Sequence, residues 1–214
     1  MKCTILTLFP DAFDSPFSYS IIKRAIAKKR ITIELVNIRN FGIGVHKLVD
    51  DRPYGGGVGM ILRVDVVHRA IQHARCKRRC RERVVLMDAR GETFTQKKAR
   101  EFATLQHLIL VAGHYEGIDD RIAHFVDERI SIGNYILSGG ELPAMVIVDS
   151  VVRLTKGVLK KEAIEKESFS NGVLLEYPQY TRPRTYQELL VPAVLLLGNH
   201  KKIQQWRVRA SGRK

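Results

Sequence analysis

Residues 107–117 read HLILVAGHYEG, an apolar run from Leu108 to Ala112 that breaks at Gly113 into a polar, glycine-bounded loop. Two other segments have the same form, RVVLMDARG at 83–91 and RISIGNYILSGG at 129–140. Short apolar runs that end in polar or glycine-rich loops predict strands, and the ligands of open α/β sheets gather at the carboxyl ends of such strands. Working outward, KCTILTLF (2–9) and ITIELVNI (31–38) are also strand-like, while SPFSYSIIKRAIAKKR (15–30) and VDVVHRAIQHA (64–74) carry helical patterns. In ELPAMVIVDSVVRLTKGVL (141–159) a proline stands near the start, and Ala144, Ile147, Val148, Val151 and Val152 share one apolar face. That segment is expected to be a core helix. Strands alternating with helices predict an α/β fold, a mostly parallel sheet flanked by helices.

The chain has 214 residues, 45% hydrophobic and 27% charged, which is ordinary globular composition and excludes the disordered and membrane classes. Lys+Arg 36 against Asp+Glu 22 gives a net charge of +14 and a pI near 9.9. Such an excess favours a polyanionic partner, because Lys and Arg gain affinity by releasing counterions from phosphates. No apolar run approaches a membrane span, and MKCTILTLFPDAF (1–13) meets a proline and an acid too early for a signal peptide. A cytoplasmic protein with no membrane partner is expected. Cys3, Cys76 and Cys80 are an odd count without a disulfide framework. The setting RCKRRCRER (75–83) lowers thiol pKa but repels a metal cation, so Cys76 and Cys80 are expected as solvated thiols and no metal ligands are assigned.

From 160 to 172 the chain turns polar, KKEAIEKESFSNG, with no clean period, and reads as a flexible linker. Beyond it come proline-spaced turns and a last helix with Trp206 as its anchor. The stretch DDRPYGGGVGM (50–60) packs two carboxylates, an Arg-Pro, a tyrosine and four glycines together. It is not a Walker loop, since no Gly-Lys-Ser/Thr follows, and it lacks the third glycine of a dinucleotide fingerprint. Three consecutive glycines are costly in backbone entropy and are tolerated where φ is positive or a ligand comes close.

Taken together, HKLVDDRPYGGGVGM (46–60), GHYEGIDDR (113–121), SIGNYILSGGELPAM (131–145) and YPQYTRP (177–183) strongly resemble the TrmD family of bacterial tRNA (guanine-N1)-methyltransferases, over nearly the whole chain and in order. The resemblance implies an S-adenosylmethionine-dependent SPOUT-type enzyme. Its sheet ends in a deep C-terminal trefoil knot, and it works as a homodimer with active sites at the subunit interface. It further implies methylation of N1 of guanosine 37 beside the tRNA anticodon, with a preceding guanosine preferred and a Mg²⁺ requirement. In these terms 1–159 is the knotted cofactor-binding and catalytic domain, 160–172 the linker, and 173–214 a short, truncated C-terminal helical region. Family members continue past IQQWRVRAS (203–211) into a small helical domain, so a compact form or a truncated chain is expected.

Carried over residue by residue, the resemblance assigns the cofactor to Leu86, Gly113, Ile132, Gly133, Tyr135, Leu137, Gly139 and Gly140. Apolar residues at strand ends are often core residues, so Tyr115 and Leu137 have that second reading. The tRNA falls to Arg24, Asp50, Arg52, Gly59 and Glu116, with Glu116 reading the guanine edge. The alternative for Arg24 is a solvated helix end. Guanine N1 must lose its proton as it attacks, so a carboxylate base and a cation near O6 are needed. Glu167, in Glu-Ser-Phe where the family has Asp-Ser-Phe, matches the base, and Arg153 matches the assisting cation. A charge in a solvated linker is the other reading of Glu167. LMDARG (86–91) departs from the family's YLSPQG, and Val58 stands in place of proline. Two alternatives remain beside guanosine-37 methylation: a catalytically weakened RNA-binding module, and a SPOUT methyltransferase acting on another RNA position.

Overall fold

Five of the apolar segments build one sheet in the computed structural model, which describes residues 1–165, 167–170 and 175–212. In chain order the elements are β1 (Lys2–Thr7), α1 (Asp14–Phe17), α2 (Ser20–Ala27), β2 (Thr32–Asn37), β3 (Asp50–Asp51), β4 (Ile61–Leu62), α3 (Val64–Ala74) and β5 (Glu82–Thr93). They continue with α4 (Gln96–Phe102), β6 (His107–Val111), β7 (Glu128–Ser131), α5 (Glu141–Val152), α6 (Lys161–Glu165), β8 (Thr185–Tyr186), β9 (Leu189–Leu190) and α7 (His200–Ala210). The chain divides into two units, Met1–Leu159 and Lys160–Lys214.

In the first unit the strand order is β2-β1-β6-β5-β7 and every pairing is parallel. The expected α/β class is therefore observed. All of β6 is buried, and its side chains alternate between two cores, as strand geometry requires. Leu108 and Leu110 join Cys3, Ile5, Val85, Ala144, Ile147 and Val151 on one face. Ile109 and Val111 join Leu6, Val84, Leu86 and the α3 residues Val66, Val67, Ala70 and Ile71 on the other. The apolar face of α5 is fully buried, as its spacing predicts. Burial also pushes the Cys3 thiol up to about 12. His107, buried where β6 begins, has its pKa lowered by burial first and then by the nearby Lys2 ammonium. Among the described residues no helix is long and apolar enough to cross a membrane.

Three local expectations change. The segment 15–30 is not one helix: α1 and α2 are separated by Ser18 and Tyr19, and Ser20 opens α2 at φ +51. LMDARG is not a loop beyond a strand but an excursion inside β5, since Met87 and Glu92 both pair with Ile130 and residues 88–91 swing out between them. Gly91 is needed there, because a Cβ would lie 2.5 Å from the Arg129 backbone. Cys76 and Cys80 are not solvated thiols; the turn after α3 brings them together in a disulfide.

The second unit has no buried residue among those described. It holds a β8–β9 hairpin and α7, which Asn199 caps by accepting from the Lys202 amide at 3.1 Å. Tyr177 and Tyr180 flank Trp206 at 6.4 and 6.2 Å, and the Arg207 guanidinium lies 4.8 Å over Tyr177. The stretch read as a linker contains α6 and a turn at 167–170; its residues 166, 171 and 172 lie outside the described residues.

Truncating Ile147 removes packing shared by α5 and the sheet. Ile147→Ala is expected to lower stability by about 2–5 kcal/mol in urea unfolding at fixed protein concentration, whereas the half-buried Ser150→Ala should change it by less than about 1 kcal/mol.

Candidate active site

The excursion within β5 and the loops after β6 and β7 converge on one cleft of about 520 Å³. Its walls come from 86–90, 113–118, 130–133, 135–140 and Pro143. All eight residues assigned to the cofactor line it: Leu86, Gly113, Ile132, Gly133, Tyr135, Leu137, Gly139 and Gly140. Tyr115 and Leu137 are 43% and 36% exposed, so neither is a core residue. The volume lies within the range of cofactor sites, about 300–1,000 Å³.

The glycines serve the protein's own packing. Gly140 donates its amide to the Gly113 carbonyl at 2.7 Å, and a Cβ on Gly140 would lie 2.7 Å from Ala112 Cα. A Cβ on Gly139 would run into the Glu141 carboxylate and His114, and one on Gly133 into the Tyr135 ring. The loop after β7 can therefore lie directly on the end of β6. Glu141, the first residue of α5, is fixed in turn: its Oε1 accepts from Thr7 Oγ1 at 2.8 Å, and Thr7 Oγ1 accepts from the Phe9 amide at 2.9 Å. A carboxylate is favoured at a helix N-terminus.

Tyr115 adopts φ +60, costly for a residue with a Cβ, between His114 and Glu116. His114 packs edge-on to Phe9 with ring centroids 4.7 Å apart. Its buried Nδ1 has no hydrogen-bond partner among the described residues and stands 3.8 Å from Glu141 Oε2. One rim carries a charge network in which Arg90 meets Asp88 at 3.2 Å and Asp120 at 3.0 Å, while Arg129 meets Asp120 at 2.8 Å. Arg129, and secondarily Arg90, hold the Asp120 carboxyl below its usual range. Asp119 caps the 3-10 turn that follows it and pairs with Arg121 at 2.6 Å, so the acids of IDDR are structural.

The glycine loop at 50–60 sits against the same place. The Glu116 amide donates to the Met60 carbonyl at 3.1 Å and the Leu62 amide to the Gly117 carbonyl at 2.9 Å. Gly59, at φ +86, abuts Glu116: a Cβ there would lie 2.5 Å from Glu116 Cγ. Gly55, Gly56 and Gly57 have φ of +85°, +80° and +132°, so conformation rather than crowding requires glycine at 55 and 56, where a Cβ would meet nothing within 4 Å. Tyr54 and Val58 are almost wholly exposed beside them. Asp50 pairs with Leu62 in the β3–β4 ladder, and the exposed Arg52 donates its amide to Asp51.

The full length of the chain, residues 1–214, matches the model of the tRNA (Guanine-1)-methyltransferase TrmD family. The chain belongs to the TrmD family. It is 49% identical to the tRNA (guanine-N(1)-)-methyltransferase of Anoxybacillus flavithermus over 216 residues, covering 100% of this chain and 88% of that relative. Relatives of the same name from Bacillus cereus and Bacillus anthracis are 51% identical with the same coverage.

Arg24 and Arg153, in the first unit, are not among the residues that line the cleft. Arg24 lies on α2, exposed, with its Nε donating to the Ser20 carbonyl at 3.4 Å. Arg153 ends α5 in the first unit. Glu167 belongs to the second unit, in a turn closed by the Ser170 amide donating to its carbonyl at 3.1 Å. Ser168 Oγ accepts from the Glu176 amide at 3.0 Å and steadies the same turn. Sequence reasoning passed over Asp88, Arg90, His114 and Glu141. Their signal was present, since each sits within or beside a quoted motif, but nothing in the residue order says that they meet.

Gly59→Val is expected to displace Glu116 while leaving the exposed loop's contribution to stability small. Methylation of tRNA should fall at least about tenfold. Radiolabel transfer checks the activity and a melting curve the fold, the midpoint falling by the strain of a β-branched residue at φ +86 while the transition stays cooperative.

Proposed function

We propose that this chain transfers a methyl group from S-adenosylmethionine to N1 of guanosine 37 in tRNA. The observation that carries the proposal is the seating of the 50–60 glycine loop on Glu116 at the mouth of the three-loop cleft. It supports the reading by setting the Glu116 carboxylate beside a cofactor-sized cavity. Bound S-adenosylmethionine supplies an electrophilic methyl on a sulfonium whose leaving thioether is neutral. The protein's task is therefore mostly to position the reactants and exclude water.

Leu86, Ile132 and Leu137 supply apolar walls for the cofactor's ring, and the backbone of 113–117 and 132–140 supplies polar groups along the rest of it. Glu116 accepts from guanine N1–H and N2–H₂, holding the base by its edge until transfer. Asp50, Arg52 and Gly59 shape the loop against the nucleotide, and Arg24 takes a phosphate. In this reading Glu167 removes the N1 proton and Arg153 stabilises negative charge developing at O6, roles that rest on the match to the family's motif and on the need for a base and a cation.

The same reading makes the active form a homodimer with sites at the subunit interface and the sheet's end a trefoil knot. Support for the dimer is the exposed pair Leu142 and Val146, one turn apart on α5, with Ile136 84% exposed at the cleft lip. A charge of +14 suits a tRNA partner and a cytoplasmic setting. The Mg²⁺ requirement is assigned to the RNA, since among the described residues no group of three metal-ligating side chains lies in the cleft.

Incubation with labelled S-adenosylmethionine and paired tRNAs carrying or lacking guanosine at position 37 tests the proposal. Label is expected only in the first, and equal labelling of both overturns it. Glu167→Gln keeps the shape of the side chain but not its basicity, so turnover should fall by roughly 10²–10⁴-fold. Calorimetric S-adenosylmethionine binding should stay near that of the unsubstituted protein. Unchanged turnover would make Glu167 a turn residue and no more.

A further inference from the structure

At the opposite end of the sheet from the cleft, the turn after α3 and the first residues of β5 and β6 bring Cys76, Cys80, Glu82 and His107 together. Their ligand-type atoms all lie within 4.8 Å of one another. His107 Nδ1 is 3.4 Å from Glu82 Oε2 and 3.5 Å from Cys76 Sγ, and Cys80 Sγ is 3.8 Å from Glu82 Oε2. Zinc bonds of about 2.0–2.3 Å imply tetrahedron edges of about 3.3–3.8 Å, a range that holds these three distances; the two sulfurs, joined in the disulfide, can meet it only after reduction.

The imidazole is oriented for this role. Thr4 Oγ1 donates to Glu34 Oε2 at 3.0 Å, and its lone pairs face His107 Nε2 at 2.8 Å. Nε2 therefore carries the proton, and the Nδ1 lone pair faces the Glu82 carboxylate and the Cys76 sulfur. Two acceptors aimed at each other across 3.4 Å repel unless a proton or a metal ion lies between them. A histidine that donates its other nitrogen to a hydrogen-bonded acceptor is the arrangement that fixes a metal-ligating ring. Glu82 is fixed likewise, by the Cys76 amide at 2.9 Å and by Arg75 at 3.2 Å.

We propose that these four side chains form a structural zinc site that clips the α3–β5 turn to the sheet once the disulfide is reduced. A dithiol reductant supplies two electrons and two protons, the S–S bond becomes two thiols, and zinc then displaces both thiol protons. Two thiolates and one carboxylate carry three negative charges against the ion's two positive ones. The complex is left with one negative charge, and the basic neighbours Lys77, Arg78, Arg79 and Arg81 offset it. The basic setting, which repels a free cation, thus stabilises the assembled site. A four-ligand, closed site of this kind contributes to folding and leaves no open position for chemistry.

The test uses the full chain, reduced, stripped with a chelator under nitrogen and titrated with Co²⁺ as the probe. One Co²⁺ per chain with thiolate charge-transfer absorption is expected, displaced by one equivalent of Zn²⁺. Cys80→Ser should lose that absorption while keeping a native circular dichroism spectrum, and Thr4→Val should weaken Zn²⁺ binding about 10–100-fold by freeing the ring. A reduced protein that takes up no Co²⁺, or a Cys80→Ser variant that binds it as the unsubstituted protein does, overturns the proposal.

Discussion

Gly140 stands against Ala112 with no space for a Cβ, and its amide reaches the Gly113 carbonyl at 2.7 Å. That close approach sets the position of everything around the cleft. It brings the β7–α5 loop onto the end of β6 and starts α5 at Glu141, whose carboxylate reaches Thr7 at the end of β1. The apolar face of α5 then meets the sheet through Ala144, Ile147, Val148 and Val151. A side chain at position 140 would force the loop off the strand and tilt the helix with it. Cleft geometry and core packing are thus joined at one contact.

Chemistry at such a site needs placement more than acid–base strength. In the proposed reaction the leaving thioether is neutral and asks for no general acid, and a cleft of backbone, apolar side chains and a few fixed polar groups suits it. The charged groups nearby are tied to one another. Asp88, Arg90, Asp120 and Arg129 form a network at one rim, and Glu141 is held by Thr7. Glu116 is the carboxylate that the neighbouring loop frames, through the Met60 carbonyl and the bare face of Gly59. Tyr115, held at φ +60 between His114 and Glu116, turns the chain sharply enough to present that carboxylate.

The two ends of the parallel sheet have different work. At the carboxyl side lies the cleft, lined by the β5 excursion and the loops after β6 and β7, where ligands of open α/β sheets gather. Amino ends carry a compact polar cluster, where buried His107 links Thr4 and Glu34 to the turn that holds Cys76 and Cys80. A closed cluster there stiffens the start of β5 and β6 without touching the cleft at their other ends.

By itself the sequence determined the five strands of the main sheet, the α/β class and the buried face of α5, because those follow from local apolar runs and a helical period. It also carried the family, because four motifs in order are a one-dimensional property, and with them eight of the residues that line the cleft. Tertiary structure alone decided what distant residues do to each other. Residues 88–91 read as a loop, yet they are an excursion within β5, because Met87 and Glu92 both return to Ile130. The family match assigns Gly139 and Gly140 to the cofactor, and the fold shows that they also make space for His114, Glu141 and the β6 backbone. Cys76 and Cys80 read as solvated thiols in a repulsive setting, because Glu82 and His107 join them only when β5 and β6 pair. Periodicity records which face of a segment is buried; it holds no information on which segment lies opposite, and that is where these differences arise.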